Sequence, residues 1–168
     1  MFQNYSTQYR PGLPLCLKNL NIKFNPGSKI AVVGRTGSGK SSLALSLFRI
    51  IEPVQGTIII DDVDVRNVTQ QNLRSALAIV PQDPVLFTGS LRSNVDLREE
   101  FTDEQILKTL TSVNLGEFLE SIDNNLDYQI SGTVSESLSA GQKQLICLSR
   151  AMIRHPKVVV FDEATARK

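Results

Sequence analysis

The sequence predicts an α/β fold in which apolar strands carry loops and acidic residues to the ligand-binding end of a sheet, with a helical stretch between them. Three observations predict it. Lys29-Ile30-Ala31-Val32-Val33 is a β-branched apolar run that stops at Gly34 and passes through a glycine-rich loop into a helical pattern, a strand-loop-helix unit. Lys157 to Phe161 is a final buried-strand candidate that ends in Asp162-Glu163. Between Ser90 and Ile153 the chain reads mainly helical, whereas the segments before it carry strand and turn signals.

In order, Leu13 to Phe24 has spaced apolar residues and ends in Asn25-Pro26-Gly27, which reads as strand and turn. The helix after the glycine-rich loop places Leu43, Leu47 and Ile50 on one stripe with Ala44, Phe48 and Ile51 beside it, and Glu52-Pro53 stops it. Gly56 to Val65 reads as a hairpin turning at Asp61-Asp62. A φ above zero there would favour glycine at Asp62, so a loop wider than two residues is expected. Leu77 to Val80 is a short buried strand closed by Pro81. Thr102-Asp103-Glu104-Gln105 has the form of a capping box ahead of Ile106, Leu107, Leu110 and Val113 at helical spacing. A short helix over Glu117 to Ile122 follows, then the polar segment Asp123 to Ser137. A last helix carries Leu145, Leu148 and Met152 on one stripe and ends at His155-Pro156.

With 168 residues, 41% hydrophobic and 21% charged, the composition is that of one ordinary globular domain. Lys and Arg number 18 against 17 Asp and Glu, so no global basic field points to nucleic acid or an anionic membrane surface. No apolar run approaches the ~18 residues needed to cross a bilayer. Met1 to Arg10 lacks the pattern of a secretory signal, so an intracellular location is expected. Cys16 and Cys147 have no metal-ligand spacing and read as packing residues.

Chemistry concentrates in three places. Gly34-Arg35-Thr36-Gly37-Ser38-Gly39-Lys40-Ser41 satisfies G-x-x-x-x-G-K-[ST] in the context that pattern requires, after a strand and before a helix. Glycines let consecutive N–H groups turn inward around a phosphate, and the helix adds its positive N-terminal end. Lys40 would reach the β- and γ-phosphates, and the Ser41 hydroxyl would ligate Mg²⁺ between them. Asp162, at the end of the last strand, would hold Mg²⁺ directly or through water, and Glu163 would polarise the attacking water. A solvated acidic strand end is the alternative, outweighed once the phosphate loop is present. In Ser137-Leu138-Ser139-Ala140-Gly141-Gln142, Ser139 and Gln142 form a Ser-x-x-Gln capping box, and the same helix start can face a γ-phosphate held by another subunit. Spacing alone leaves both readings open.

Taken together, these motifs resemble the nucleotide-binding domains of ATP-binding cassette transporters. The Walker A loop is Gly34 to Ser41, Gln82 is the Q-loop glutamine, Leu138-Ser139-Ala140-Gly141-Gln142 the signature, and Walker B ends at Asp162. Tyr9-Arg10-Pro11, Gly34 to Gly37 and Val80-Pro81-Gln82-Asp83-Pro84-Val85-Leu86-Phe87 look most like the second cassette of the multidrug resistance-associated subfamily, and the resemblance runs from about Phe2 to Thr165. It implies a P-loop NTPase with a RecA-like core, an N-terminal antiparallel β part and a helical subdomain inserted over about 83–154, all within one cassette.

By the same resemblance, the nucleotide ATP is held by Tyr9 stacked on the adenine, by Gly34, Thr36, Gly37, Ser38, Gly39, Lys40, Ser41 and Ser42, and by Ser139, Gly141 and Gln142 acting on a second cassette in a head-to-tail dimer. Mg²⁺ falls to Ser41, Gln82 and Asp162, and catalysis to Glu163, Gln82 and Lys40. The implied function is ATP hydrolysis that powers export through a transmembrane partner at the cytoplasmic face of a membrane. No nucleic-acid partner is expected. Tyr9 also reads as an ordinary edge-strand aromatic.

Departures from the pattern are specific. The sequence after Walker B reads Ala164-Thr165-Ala166-Arg167-Lys168, without the family's D-loop or switch histidine, so the cassette is expected to be incomplete at its C-terminus and weak or inactive alone. His155 precedes Walker B, is expected to be exposed and takes no catalytic role. Ala140 replaces the commonest glycine, and Thr133-Val134-Ser135 stands where related chains are glycine-rich. A second reading is a truncated nucleotide-binding or dimerisation module, or a fragment of a longer transporter, without turnover of its own. A third, a cassette ATPase of DNA repair, lacks support because no heptad pattern lies between Ser41 and Ser139.

Overall fold

The computed structural model describes residues 1–131 and 138–162, in two compact units, Met1–Ser75 and Ala76 onward. The expectations at Gly132 to Ser137 and at Glu163 to Lys168 lie outside the described residues.

The first unit is built on a four-stranded antiparallel sheet. Strand β1 (Phe2–Thr7) pairs on one side with β2 (Leu17–Ile22) and on the other with β3 (Pro53–Ile60), which continues to β4 (Val63–Asp64). β1 escapes the sequence pattern because it is bulged. Gln3 faces Thr57 and Ser6 faces Gln55, so Asn4 and Tyr5 oppose Gly56 alone. Asn4 takes φ 47°, and the bulge puts Phe2 and Tyr5, three residues apart, into one buried edge-to-face pair with centroids 5.4 Å apart. Gly56 is required there. It has φ 75°, and a Cβ on it would fall inside contact distance of the Asn4 and Gln3 carbonyl oxygens.

At the β3–β4 hairpin Ile60 pairs Val63, so the loop is only Asp61-Asp62, and both aspartates take positive φ, 48° and 62°. The wider loop expected there does not form, because short polar side chains tolerate the left-handed region that a type I′ turn demands.

Helix α1 (Lys40–Leu47) starts as expected but stops well before Glu52. Arg49, at φ 49°, closes a Schellman motif, its N–H bonding the Ser46 carbonyl and the Ile50 N–H the Leu45 carbonyl. Arginine stands where glycine usually signals the stop, and its guanidinium is held by the Val65 and Val68 carbonyls and Glu52. The expected stripe is therefore displaced. Ser42, Ser46 and Ile51 are buried, Leu43 and Leu47 are half-buried, and Ile50 is exposed. A short 3-10 turn (Val65–Asn67) and α2 (Gln70–Ser75) complete the unit.

The apolar run 29–33 belongs to none of the described sheets, and Val33 is 92% exposed. Its pattern fits a central strand, but β structure also needs a neighbour to supply ladder bonds, and among the described residues none does.

In the second unit, β5 (Leu77–Val80) and the last strand, Val158–Phe161, form a parallel pair in register from Leu77 with Val158 to Val80 with Phe161. Only two strands wide, the pair leaves Ile79 and Phe161 exposed, so neither strand is buried throughout as expected. Between them lie β6 (Gly89–Ser90), α3 (Leu91–Val95), α4 (Asp103–Ser112), α5 (Gly116–Ser121), β7 (Gln129–Ile130) and α6 (Ala140–Met152); the last strand is β8. β6 pairs β7, and the helices enclose one apolar cluster centred on Leu91, Ile106, Leu110, Leu119 and Ile146.

Both capping boxes form as expected, Thr102 with Gln105 on α4 and Ser139 with Gln142 on α6. On α6 the buried stripe is Ile146, Ser149 and Ile153, one residue round from the expected Leu145, Leu148 and Met152. Small Ser149, its hydroxyl bonded to the Ile146 carbonyl, can bury at no polar cost, and Met152 turns outward. No helix among the described residues is long and apolar enough to cross a membrane.

Candidate functional site

In the first unit the glycine-rich loop closes on itself. Lys40 Nζ donates to the Gly34 carbonyl at 2.7 Å and to the Arg35 carbonyl at 3.0 Å, and the Ser38 N–H bonds the Arg35 carbonyl at 3.1 Å. Two of the loop carbonyls are thus tied to the lysine, in a glycine-rich turn of the kind whose backbone N–H groups can form an anion-binding nest. Gly39 is the N-cap of α1 at φ 95°, and no side chain caps the helix, so the first-turn N–H groups stay available. A Cβ on Gly39 would meet the Leu17 side chain at 3.1 Å and the Cys16 carbonyl at 3.2 Å, so the start of α1 sits tightly on the beginning of β2.

Thr36, Gly37 and Ser38 lie in the exposed turn, Ser41 is exposed on the first helical turn and Ser42 is buried. Tyr9 leaves the end of β1 half-exposed, and its hydroxyl is 2.8 Å from Ser42 Oγ. Tyr9 and the helix that follows the glycine-rich loop are thus hydrogen-bonded to one another, a contact for which the sequence carries no signal. Cys16 is part-buried, its thiol donating to the Thr7 carbonyl at 3.4 Å.

The second unit brings together two other candidates. Val80 pairs Phe161 and the Asp162 N–H bonds the Val80 carbonyl at 3.0 Å, so Gln82 and Asp162 emerge at the carboxyl ends of two adjacent parallel strands, both exposed. Glu163 lies outside the described residues. Among the described residues no three His, Cys, Asp or Glu side chains gather as a metal cage. Gln82 and Asp162 in this unit, like Ser41 in the first, offer oxygen atoms, the donor type that suits a hard cation and not a softer metal.

Ser139 and Gln142 are reciprocally bonded, Gln142 N–H to Ser139 Oγ at 3.1 Å and Ser139 N–H to Gln142 Oε1 at 2.9 Å. Buried Leu138 anchors this helix start, and Gly141 is exposed beside it. His155 is exposed, as expected. Sequence reasoning passed over Asn94, which is fully buried, and Arg150, which is part-buried against it. The available signal was a polar residue between Leu91 and Val95 at a position the helical period assigns to the interior.

The sequence matches the family described as ABC transporter over residues 17–166. It is 50% identical to the rat protein ATP-binding cassette sub-family C member 3 over 165 residues, which is 98% of this chain and 11% of the relative. Identity is 49% to the Caenorhabditis elegans multidrug resistance protein mrp-7 over 98% of the chain, and 47% to the Dictyostelium discoideum ABC transporter C family member 5 over 99%. The chain spans 11% of the length of each.

Proposed function

The chain belongs to the ABC transporter family, and from that premise we propose that it is an ATP-binding and ATP-hydrolysing cassette that powers export through a transmembrane partner. The observation that carries the reading is the phosphate loop, with the Lys40 ammonium held over the Gly34 and Arg35 carbonyls at an uncapped helix start. A cation and a row of free N–H groups at one place fit a polyphosphate and little else.

In this reading residues 1–168 are one cassette, with a RecA-like core and a helical subdomain over about 83–154. The apolar cluster running from Leu91 to Ile153 supports that division. Tyr9 carries the adenine, and Gly34 with Thr36 to Ser42 carry the phosphates. By the family resemblance Ser41, Gln82 and Asp162 would hold Mg²⁺, which would supply charge neutralisation to the phosphates. Lys40 would add to that neutralisation, Glu163 would orient and polarise the attacking water, and Gln82 would assist catalysis. Ser139 and Gly141, on the first turn of α6, close over the nucleotide of a second cassette in a head-to-tail dimer. The similarity to sub-family C proteins supports placing the cassette at the cytoplasmic face of a membrane.

Calorimetric titration with ATP, with and without Mg²⁺, tests the first half of the reading. Saturable Mg²⁺-sensitive binding that Lys40→Ala abolishes is expected, and a folded chain that binds no ATP overturns it. Paired with a second cassette, the chain should release phosphate in a manner that Glu163→Gln abolishes; turnover that survives this substitution overturns the assignment of Glu163.

A further inference from the structure

The segment that follows Gln82 is pinned to two helices by side chains the nucleotide chemistry does not use. Asn94, fully buried on α3, treats Phe87 as a strand neighbour. The Phe87 N–H donates to Asn94 Oδ1 at 2.8 Å, and Asn94 Nδ2 donates to the Phe87 carbonyl at 2.8 Å and the Ser90 carbonyl at 3.0 Å. From α6, Arg150 donates in three directions. Nε bonds the Asn94 carbonyl at 2.7 Å, Nη1 the Val85 carbonyl at 3.2 Å and Nη2 Asn94 Oδ1 at 3.3 Å. Its guanidinium also lies over the Phe87 ring, 4.9 Å from the centroid.

One turn earlier on α6, the Cys147 thiol points to the same Val85 carbonyl at 3.6 Å. Burial pushes the Arg150 pKa down and the Cys147 pKa up, as expected for groups withdrawn from water. The acceptors of Arg150 are carbonyl oxygens, not carboxylates, so the side chain is spent on holding backbone. Only a planar fork reaches Val85, Asn94 and the Phe87 face together; an ammonium does not.

We infer that Arg150 is a positioning residue that clasps the Val85–Phe87 segment to α6, so that Gln82 and the Ser139 start of α6 move as one rigid piece. The functional part of this inference rests on the reading of Gln82 and Ser139 as nucleotide-facing. A displacement of the Gln82 loop is then passed through Arg150 along about three helical turns to Ser139. Leu86 of the same segment also packs against the apolar cluster that holds Ile146 of α6, but the hydrogen-bonded fork comes from the guanidinium, so lysine cannot replace the arginine.

Hydrogen exchange by mass spectrometry on the full 168-residue chain, with and without Mg·ATP, tests it in Arg150→Lys and Arg150→Met beside the parent. Without nucleotide, residues 85–87 should exchange at least about tenfold faster in both variants, while α4 keeps parent protection. With Mg·ATP, the parent should gain protection at 82–87 and 138–143 together. The variants, with calorimetric ATP affinity within about twofold of the parent's, should lose the response at 138–143. Parent-like exchange at 85–87 in either variant, rescue by lysine, joint responses in the variants, or a parent response confined to 82–87 overturns the inference. A parent that binds no ATP overturns the proposed function instead, and the nucleotide-free comparison still decides the clasp. Should Arg150→Met not fold, Phe87→Leu, which removes only the ring beneath the guanidinium, takes its place with the same expected loss.

Discussion

Gly56→Ala isolates what the bulge in β1 demands of its neighbour. At φ 75° an L side chain costs roughly 1–2 kcal/mol. The added methyl also meets the Asn4 and Gln3 carbonyls, which are backbone and cannot swing aside as a rotamer would, an overpacking cost of roughly 1–3 kcal/mol. Against these stands about 0.4–1 kcal/mol from the stiffer unfolded chain. The net is a loss of about 2–4 kcal/mol. Amides of the β1–β3 ladder that exchange by opening of the sheet should then exchange roughly thirty- to several-hundredfold faster. Gly27→Ala is the control, because Gly27 has a similar φ of 71° but no atom within 4 Å of the added Cβ. It carries only the φ cost, about 1 kcal/mol or less after the unfolded-state gain. Equal acceleration in the two variants would refute the argument that close approach, and not conformation alone, reserves position 56 for glycine.

Three further outcomes are expected. Tyr9→Phe, which keeps the ring and deletes the bond to Ser42, should weaken ATP binding by about 0.5–1.5 kcal/mol, roughly two- to tenfold by calorimetry, and Tyr9→Ala should weaken it more. Ile146→Ala, at a fully buried site in the helical cluster, should destabilise by about 2–5 kcal/mol with an unchanged denaturant slope. Arg66 beside Asp64 holds its carboxyl well below its ordinary value of 3.8. The stabilisation is therefore complete above about pH 4 and lost as pH falls towards the depressed value, so a urea titration should find the parent falling more steeply below pH 4 than Asp64→Asn.

Which parts of the molecule were legible follows from the range of the forces that shape them. Capping boxes are closed within four residues, and both Thr102–Gln105 and Ser139–Gln142 form as read. The glycine-rich loop is equally local, since its lysine bonds carbonyls five and six residues back. Failures begin where a partner far along the chain decides. β1 was invisible because Gly56 lets it bulge, which turns a two-residue alternation into the three-residue spacing of Phe2 and Tyr5. The end of α1 was misplaced because Arg49 does the work of a glycine, stabilised by carbonyls sixteen and nineteen residues away. The run at 29–33 shows the converse, a strand composition without a strand neighbour.

The candidate site divides the same way. Residue types for binding a phosphate and a hard cation are written in short motifs, whereas the contacts that aim them are not: Tyr9 reaches Ser42 across thirty-three positions and Arg150 reaches Val85 across sixty-five. A motif therefore states which chemistry a chain carries, and the proposed clasp assigns to long-range polar bonds which of its parts move together. If that separation holds, substitutions inside the glycine-rich loop should change nucleotide affinity. Substitutions at Asn94 or Arg150 should leave affinity intact and change only how far its effect travels.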